Sequence, residues 1–68
     1  MDLSALIRMS KQISLNMPGS KNRPEKLALH FKQFWTPKML NEFTTYLEKN
    51  EEEFPEEITL AFQILQKS

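Results

Sequence analysis

The most informative part of this sequence is the segment His30-Phe31-Lys32-Gln33-Phe34-Trp35-Thr36-Pro37-Lys38-Met39, which contains the only tryptophan and the only histidine. Pro37 biases Thr36 away from helical backbone angles, so the segment predicts that one helix ends near Trp35. Thr36 is then placed to cap the next helix, with Pro37 at its first position. The segment therefore predicts a tight corner between two helices that carries the largest apolar side chains.

The aromatic side chains of this corner can form either a small core or a binding surface. Phe31 and Phe34 recur at helical spacing, which favours a place in the core. For Trp35 both the core and the binding surface remain possible. Four short helices offer little cover for so large a side chain, and tryptophan is common at interface hot spots. The methionines that would add an adaptable apolar surface nearby are Met9, Met17 and Met39.

Apolar spacing on the N-terminal side of the corner predicts two helices. In the first, apolar residues recur every three or four positions, with Asp2 as the cap and Pro18 just after the end. The second opens at Asn22, which forms a capping-box pattern with Glu25. Its apolar stripe is the widest in the chain and consists of Leu27, Ala28, Phe31, Phe34 and Trp35.

Two more helices are predicted on the C-terminal side of the corner. The third runs from Pro37 to about Lys49. After a polar break the fourth starts near Pro55, with Glu56 and Glu57 in its first turn, where the helix dipole favours carboxylates. Since no alternation of period two appears, the sequence predicts an all-α fold, a small bundle of about four short helices that forms a single domain over residues 1–68.

Length and composition limit the classes of function. A chain of 68 residues without cysteine buries only about 60% of the surface of its unfolded form and lacks disulfides, so docking on a partner or self-association is expected to stabilise it. No run approaches the roughly 18 apolar residues that span a bilayer, and the first residues lack the continuous apolar core of a signal peptide. We therefore expect a cytoplasmic protein that does not associate with membranes.

The charges are divided along the chain, although the formal net charge is zero. Residues 1–38 carry seven of the nine basic residues, and residues 39–68 carry seven of the nine acidic ones. Such asymmetry is typical of faces that attract each other or a partner, or of a nucleic-acid-binding half. The alternative function is therefore a small helical nucleic-acid-binding protein, but a pI near 6.6 and the glutamates of the third helix argue against a nucleic-acid partner.

The sequence contains no pattern that indicates catalysis, metal binding or a cofactor. Histidine is the side-chain type whose ordinary pKa lies near neutrality, but no nucleophile or second acid accompanies His30, so we expect a boundary histidine or one that bonds to a partner. The run Glu51, Glu52 and Glu53 is expected to be solvated. We therefore predict a chain that is not an enzyme and binds no cofactor.

Three parts of the sequence together match the pattern of a known family. They are Leu6-Ile7-Arg8-Met9 followed by Gln12-Ile13, the segment from His30 to Met39, and Phe54-Pro55 leading to Ala61. In this combination the chain resembles the small delta subunit of the NAD-dependent, molybdenum-containing formate dehydrogenases. The middle segment is the specific part. The chain departs from the family pattern at Ser10-Lys11 and at residues 50–53, where the family often has a glycine-containing turn.

The resemblance implies a helical, cofactor-free accessory subunit that binds the large molybdopterin-containing catalytic subunit and supports its assembly, cofactor insertion or stability. Formate oxidation would belong to the larger subunit. We expect the partner to be contacted by Arg8, Met9, Gln12, His30, Phe34, Trp35, Thr36, Pro37, Lys38 and Met39. In this hypothesis Trp35 fills a pocket on the partner, while Arg8 and Lys38 pair with carboxylates at the rim.

Overall fold

The computed structural model describes residues 2–67, and within them it contains four α-helices, one short 3-10 turn and no strand. The helices are α1 (Leu3–Asn16), α2 (Arg23–Phe34), α3 (Pro37–Lys49) and α4 (Glu56–Lys67), and the 3-10 turn is Glu51–Glu53. The prediction of an all-α bundle of about four short helices is confirmed. The helix bounds also follow the predicted ones closely.

Local capping explains where α1 and α3 begin. The Asp2 carboxylate accepts a hydrogen bond from the backbone N–H of Ala5 at 2.9 Å. The Thr36 hydroxyl likewise accepts one from the backbone N–H of Met39 at 3.2 Å. Each cap satisfies a donor that the first turn of a helix otherwise leaves unpaired. Both predicted caps are confirmed, and Pro37 occupies the first turn of α3 as expected.

The start of α2 differs from the prediction. Asn22 precedes the helix in the left-handed conformation, with φ 56° and ψ 36°, and its side chain makes no capping hydrogen bond. The predicted capping box with Glu25 is therefore wrong. Such a cap needs extended backbone angles at the first position, whereas the turn before α2 brings Asn22 to a positive φ that asparagine tolerates. Gly19, in the same turn, also has a positive φ of 89°.

The core is a cluster of aromatic rings contributed by α2, α3 and α4. The ring of Trp35 lies edge to face with those of Phe31 and Phe43, at centroid distances of 4.8 and 5.5 Å. Phe62 of α4 adds tilted contacts to Phe31 and Phe43, each at 4.9 Å. Edge-to-face and tilted arrangements are those that the ring quadrupoles favour. Helices α2 and α4 are the most closely packed pair of the bundle.

Helix α1 packs on the bundle through residues four positions apart, namely Leu6, Ser10 and Ser14. Ser10 is 0% exposed, and its hydroxyl donates to the carbonyl oxygen of Ile7 at 2.8 Å. Ser14, on the same line, is also buried. The predicted apolar stripe of α1 did not include the two serines, because serine in a helical pattern is read as a surface residue.

Candidate functional site

An open groove lies between α1 and α2, beside the aromatic corner. Its volume is about 470 Å³, and it is lined by Met9, Gln12, Ile13, Asn16, Met17, Pro18 and His30. The lining is mainly apolar, and the two methionines supply flexible thioethers that adapt to different shapes. Three of the residues predicted to contact a partner, Met9, Gln12 and His30, are therefore brought together here.

Phe34 adds an exposed aromatic ring next to this groove. Its side chain is 68% exposed, and its ring centroid lies 4.8 Å from that of the half-buried His30. The prediction that Phe34 belongs to the core is therefore wrong. The reason is that α2 ends at this residue, and the extended backbone of Trp35, with φ −103° and ψ 140°, places the next ring in the core instead.

Trp35 itself is buried. It is 5% exposed and is enclosed by rings of Phe31, Phe43 and Phe62. The expectation that Trp35 fills a pocket on a partner is corrected by this burial, because an enclosed side chain has no surface to offer. At this corner Phe34, and not Trp35, is the aromatic residue that a partner can reach.

The remaining predicted contact residues lie outside the groove. A separate shallow depression at the start of α3 is lined by Thr36, Lys38, Met39 and Glu42. Arg8 and Pro37 are exposed and line neither concave surface. Seven of the ten predicted residues therefore form two groups, one of Met9, Gln12, His30 and Phe34 around the groove and one of Thr36, Lys38 and Met39 at the start of α3. The other three are the exposed Arg8 and Pro37 and the buried Trp35.

A polar cluster that the sequence did not reveal joins the end of α1 to the starts of α2 and α4. The Nε atom of Arg23 lies 2.7 Å from a carboxylate oxygen of Glu57. One terminal nitrogen of the same guanidinium donates to the carbonyl oxygens of Met17 and Gly19, each at 2.7 Å. The other donates to the Ser14 carbonyl at 2.5 Å and to Glu57 at 3.0 Å. The Ser14 hydroxyl also donates to Glu57.

The charges in this cluster stabilise each other. Hydrogen bonds from Arg23 hold the pKa of the Glu57 carboxyl below its ordinary value, partial burial acts in the opposite direction, and the Ser14 hydroxyl lowers the pKa further. Glu57 in turn raises the pKa of the Arg23 guanidinium. Because Arg23 binds the Met17 carbonyl, this ion pair fixes one end of the groove. No local pattern in the sequence connects the two residues, which are 34 positions apart.

Titratable side chains are few around the groove. His30 is the one titratable side chain among its seven lining residues. Within residues 2–67 no three His, Cys, Asp or Glu side chains are grouped so that they could hold a metal ion. In the same part of the chain, none of the helices combines the length and the apolar character needed to cross a bilayer.

Comparison with known proteins identifies the family. A family model described as "NADH-dependant formate dehydrogenase delta subunit FdsD" matches residues 5–62. Searches among curated proteins and among solved structures find no significant match. The matched range includes the whole groove, the aromatic corner and most of α4, and it confirms the family resemblance seen in the sequence. The chain belongs to the FdsD family of NADH-dependent formate dehydrogenase delta subunits.

Proposed function

We propose that this chain is a non-catalytic subunit that binds the large molybdopterin-containing subunit of a formate dehydrogenase and supports its assembly, cofactor insertion or stability. Family membership supplies the context for the proposal. The observation that carries it is Phe34, an aromatic ring 68% exposed beside an apolar groove. Exposed rings next to apolar concave surfaces are typical of protein interfaces.

The groove and Phe34 have complementary roles in this proposal. Burial of a phenylalanine side chain contributes about 1.5 to 3 kcal/mol, so Phe34 offers a free energy of association that the isolated chain does not use. Its contact with His30 at 4.8 Å restricts the ring before binding, which reduces the entropy lost on association. The thioethers of Met9 and Met17 allow the groove to fit an apolar side chain of the partner.

The second group of predicted residues extends this surface. Thr36, Lys38 and Met39 border the depression at the start of α3, and Arg8 is exposed on α1. We assign Arg8 and Lys38 to pairing with carboxylates of the large subunit at the rim of the contact. Such rim charges affect the rate and specificity of association more than its strength. Pro37 contributes by fixing the start of α3.

The composition of the groove supports a binding role. Six of its seven lining residues have side chains without an acid or base that titrates, and catalysis by proton transfer requires at least one positioned acid or base with a partner group. Formate oxidation is accordingly assigned to the large subunit, and the present chain acts on that subunit and not on formate.

The binding surface is tested by co-purification of the full chain with the large subunit, comparing Phe34→Ala with Leu15→Ala. Leu15 is the matched control, because its side chain is 83% exposed on α1 but does not line the groove. We expect Phe34→Ala to weaken binding by at least about 2 kcal/mol, roughly 30-fold, and Leu15→Ala to leave it unchanged. Equal binding by Phe34→Ala and wild type would exclude this surface. A wild-type chain that does not bind the large subunit would refute the proposal itself.

The supporting role is tested by producing the large subunit with and without this chain. Molybdenum content per large subunit falls without the chain if cofactor insertion is assisted. The yield of folded large subunit falls at constant molybdenum content if the chain acts on stability. A large subunit with unchanged yield, metal content and association state would contradict a role in assembly or maturation.

A further inference from the structure

A second apolar face lies between α2 and α4. It is lined by Glu25, Ala28, Leu29, Lys32, Ile64 and Leu65. At about 100° of rotation per residue, Glu25 and Leu29 lie roughly 100° to 180° around α2 from His30 and Phe34. Leu29 is 56% exposed. This face is therefore separate from the proposed surface for the large subunit.

Opposite charges lie on either side of Leu29 on this face. Glu25 lies about 6 Å before Leu29 along the axis of α2, and Lys32 about 4.5 Å after it, on the same side of the helix. Both charged side chains are exposed. Within residues 2–67, the salt bridge of the structure joins Arg23 to Glu57, so Glu25 and Lys32 take part in no ion pair there. One negative and one positive group thus flank an exposed leucine.

We propose that this face binds a second copy of the chain, with the two α2 helices antiparallel about a two-fold axis. Glu25 of each copy then lies opposite Lys32 of the other, and the two Leu29 side chains meet near the axis. A parallel arrangement would bring Glu25 against Glu25 and Lys32 against Lys32, so the charges select the antiparallel one. A two-fold interface requires a self-complementary surface, and this pattern of charges supplies it.

The dimer is expected to be weak. Stable interfaces bury about 800 Å² on each partner, which is roughly a sixth of the 4612 Å² surface of this chain. Two adjacent helices of 12 residues, each about 18 Å long and about 10 Å wide, offer a face that is smaller than that. The added burial still benefits a small core without disulfides. Because the groove and Phe34 lie on the other side of α2, they stay open in the dimer.

The test is sedimentation equilibrium of the full chain from roughly 5 µM to 1 mM, the range in which weak interfaces dissociate. The variants are Glu25→Lys, Lys32→Glu and an equimolar mixture of the two. Glu42→Lys, an exposed change on α3 outside the face, is the matched control. Circular dichroism of each variant checks that its helix content is unchanged.

We expect the wild-type chain and Glu42→Lys to dimerise as concentration rises, and each reversal at this face to weaken dimerisation at least about tenfold, because like charges then face each other. The mixture should recover association. One variant carries two positive charges at this face and the other two negative charges, so a mixed dimer has two attractive pairs. Recovery in the mixture also excludes misfolding as the cause of the single effects.

Several outcomes would overturn the proposal. One is a wild-type chain that stays monomeric at the highest concentration. Another is self-association that neither charge reversal, Glu25→Lys or Lys32→Glu, weakens. If Phe34→Ala abolishes that self-association, the two copies meet at the groove and not at this face. A monomeric chain whose binding to the large subunit is weakened by Lys32→Glu would assign this face to that subunit.

Discussion

The neighbouring residues Phe34 and Trp35 allow a direct test of the fold, because the first is 68% exposed and the second 5%. Each of the two residues is replaced by alanine in a separate variant. Trp35 contacts the rings of Phe31, Phe43 and Phe62 at centroid distances of 4.8, 5.5 and 6.3 Å. Truncation removes these contacts and leaves a cavity, so Trp35→Ala should lower the free energy of unfolding by about 3 to 5 kcal/mol.

This loss is large relative to the stability of so short a chain. At about 0.05 to 0.15 kcal/mol per residue, 68 residues give a total of about 3 to 10 kcal/mol. In a domain of this size each kcal/mol shifts the melting temperature by about 4 to 8 °C, so Trp35→Ala should melt at least about 12 °C lower or fail to fold. Phe34→Ala removes a solvent-exposed ring, and its free energy of unfolding should change by no more than about 0.5 kcal/mol.

The assay is thermal unfolding of the full chain followed by far-ultraviolet circular dichroism. Trp35→Phe is the matched variant, because it keeps an aromatic ring in the cluster and should lose less stability than Trp35→Ala. The reasoning is refuted if Trp35→Ala melts within about 4 °C of wild type, or if Phe34→Ala loses as much stability as Trp35→Ala.

Two further changes test the helix contacts. The pKa of Glu57 is lowered on folding, so its contribution to stability is complete above the unfolded value of roughly 4.3 and is lost as the pH falls through the lower folded value. In urea melts at roughly pH 7 and pH 3, Glu57→Gln should therefore lose less stability on acidification than wild type; equal losses would contradict the ion pair with Arg23. Ser10 is 0% exposed, so Ser10→Leu should lower the free energy of unfolding by about 1 to 3 kcal/mol through overpacking, while Ser10→Ala should melt much closer to wild type. An unchanged melt for Ser10→Leu would mean that α1 does not pack through this residue.

The helices could be predicted from the sequence because the signals that begin and end them are local. Thr36 and Pro37 mark the start of α3 within two residues, and Asp2 does the same for α1. Apolar spacing then identified the faces that Leu27 and Phe43 bury. These signals depend on neighbouring residues alone, so they can be recognised without knowledge of the tertiary structure.

The burial of the corner could not be predicted in the same way. Phe34 and Trp35 fit the apolar stripe of α2 equally well, and the extended backbone at Trp35 decides which ring enters the core. The capping pattern at Asn22 failed for a related reason, since its positive φ is set by the preceding turn.

The candidate site was anticipated in part. Met9, Gln12 and His30 were all among the predicted contact residues, but the groove that unites them exists only once α1 is docked on the bundle, where it packs mainly against α3 and α4. The contact of Arg23 with Glu57 spans 34 positions, and no sequence pattern around either residue indicates that the two form an ion pair. Such contacts depend on how the helices are arranged and not on the composition of either helix.

The aromatic cluster also determines which structural change the tryptophan fluorescence of this protein reports. Trp35 is the only indole, and the rings around it belong to α2, α3 and α4, whereas α1 contains no aromatic residue. Its fluorescence therefore follows the separation of those three helices. Far-ultraviolet circular dichroism reports the helix content of all four helices, so a loss of ellipticity that corresponds to about one helix and precedes the change in fluorescence marks local unfolding of α1. The two signals together distinguish opening of the groove from loss of the core.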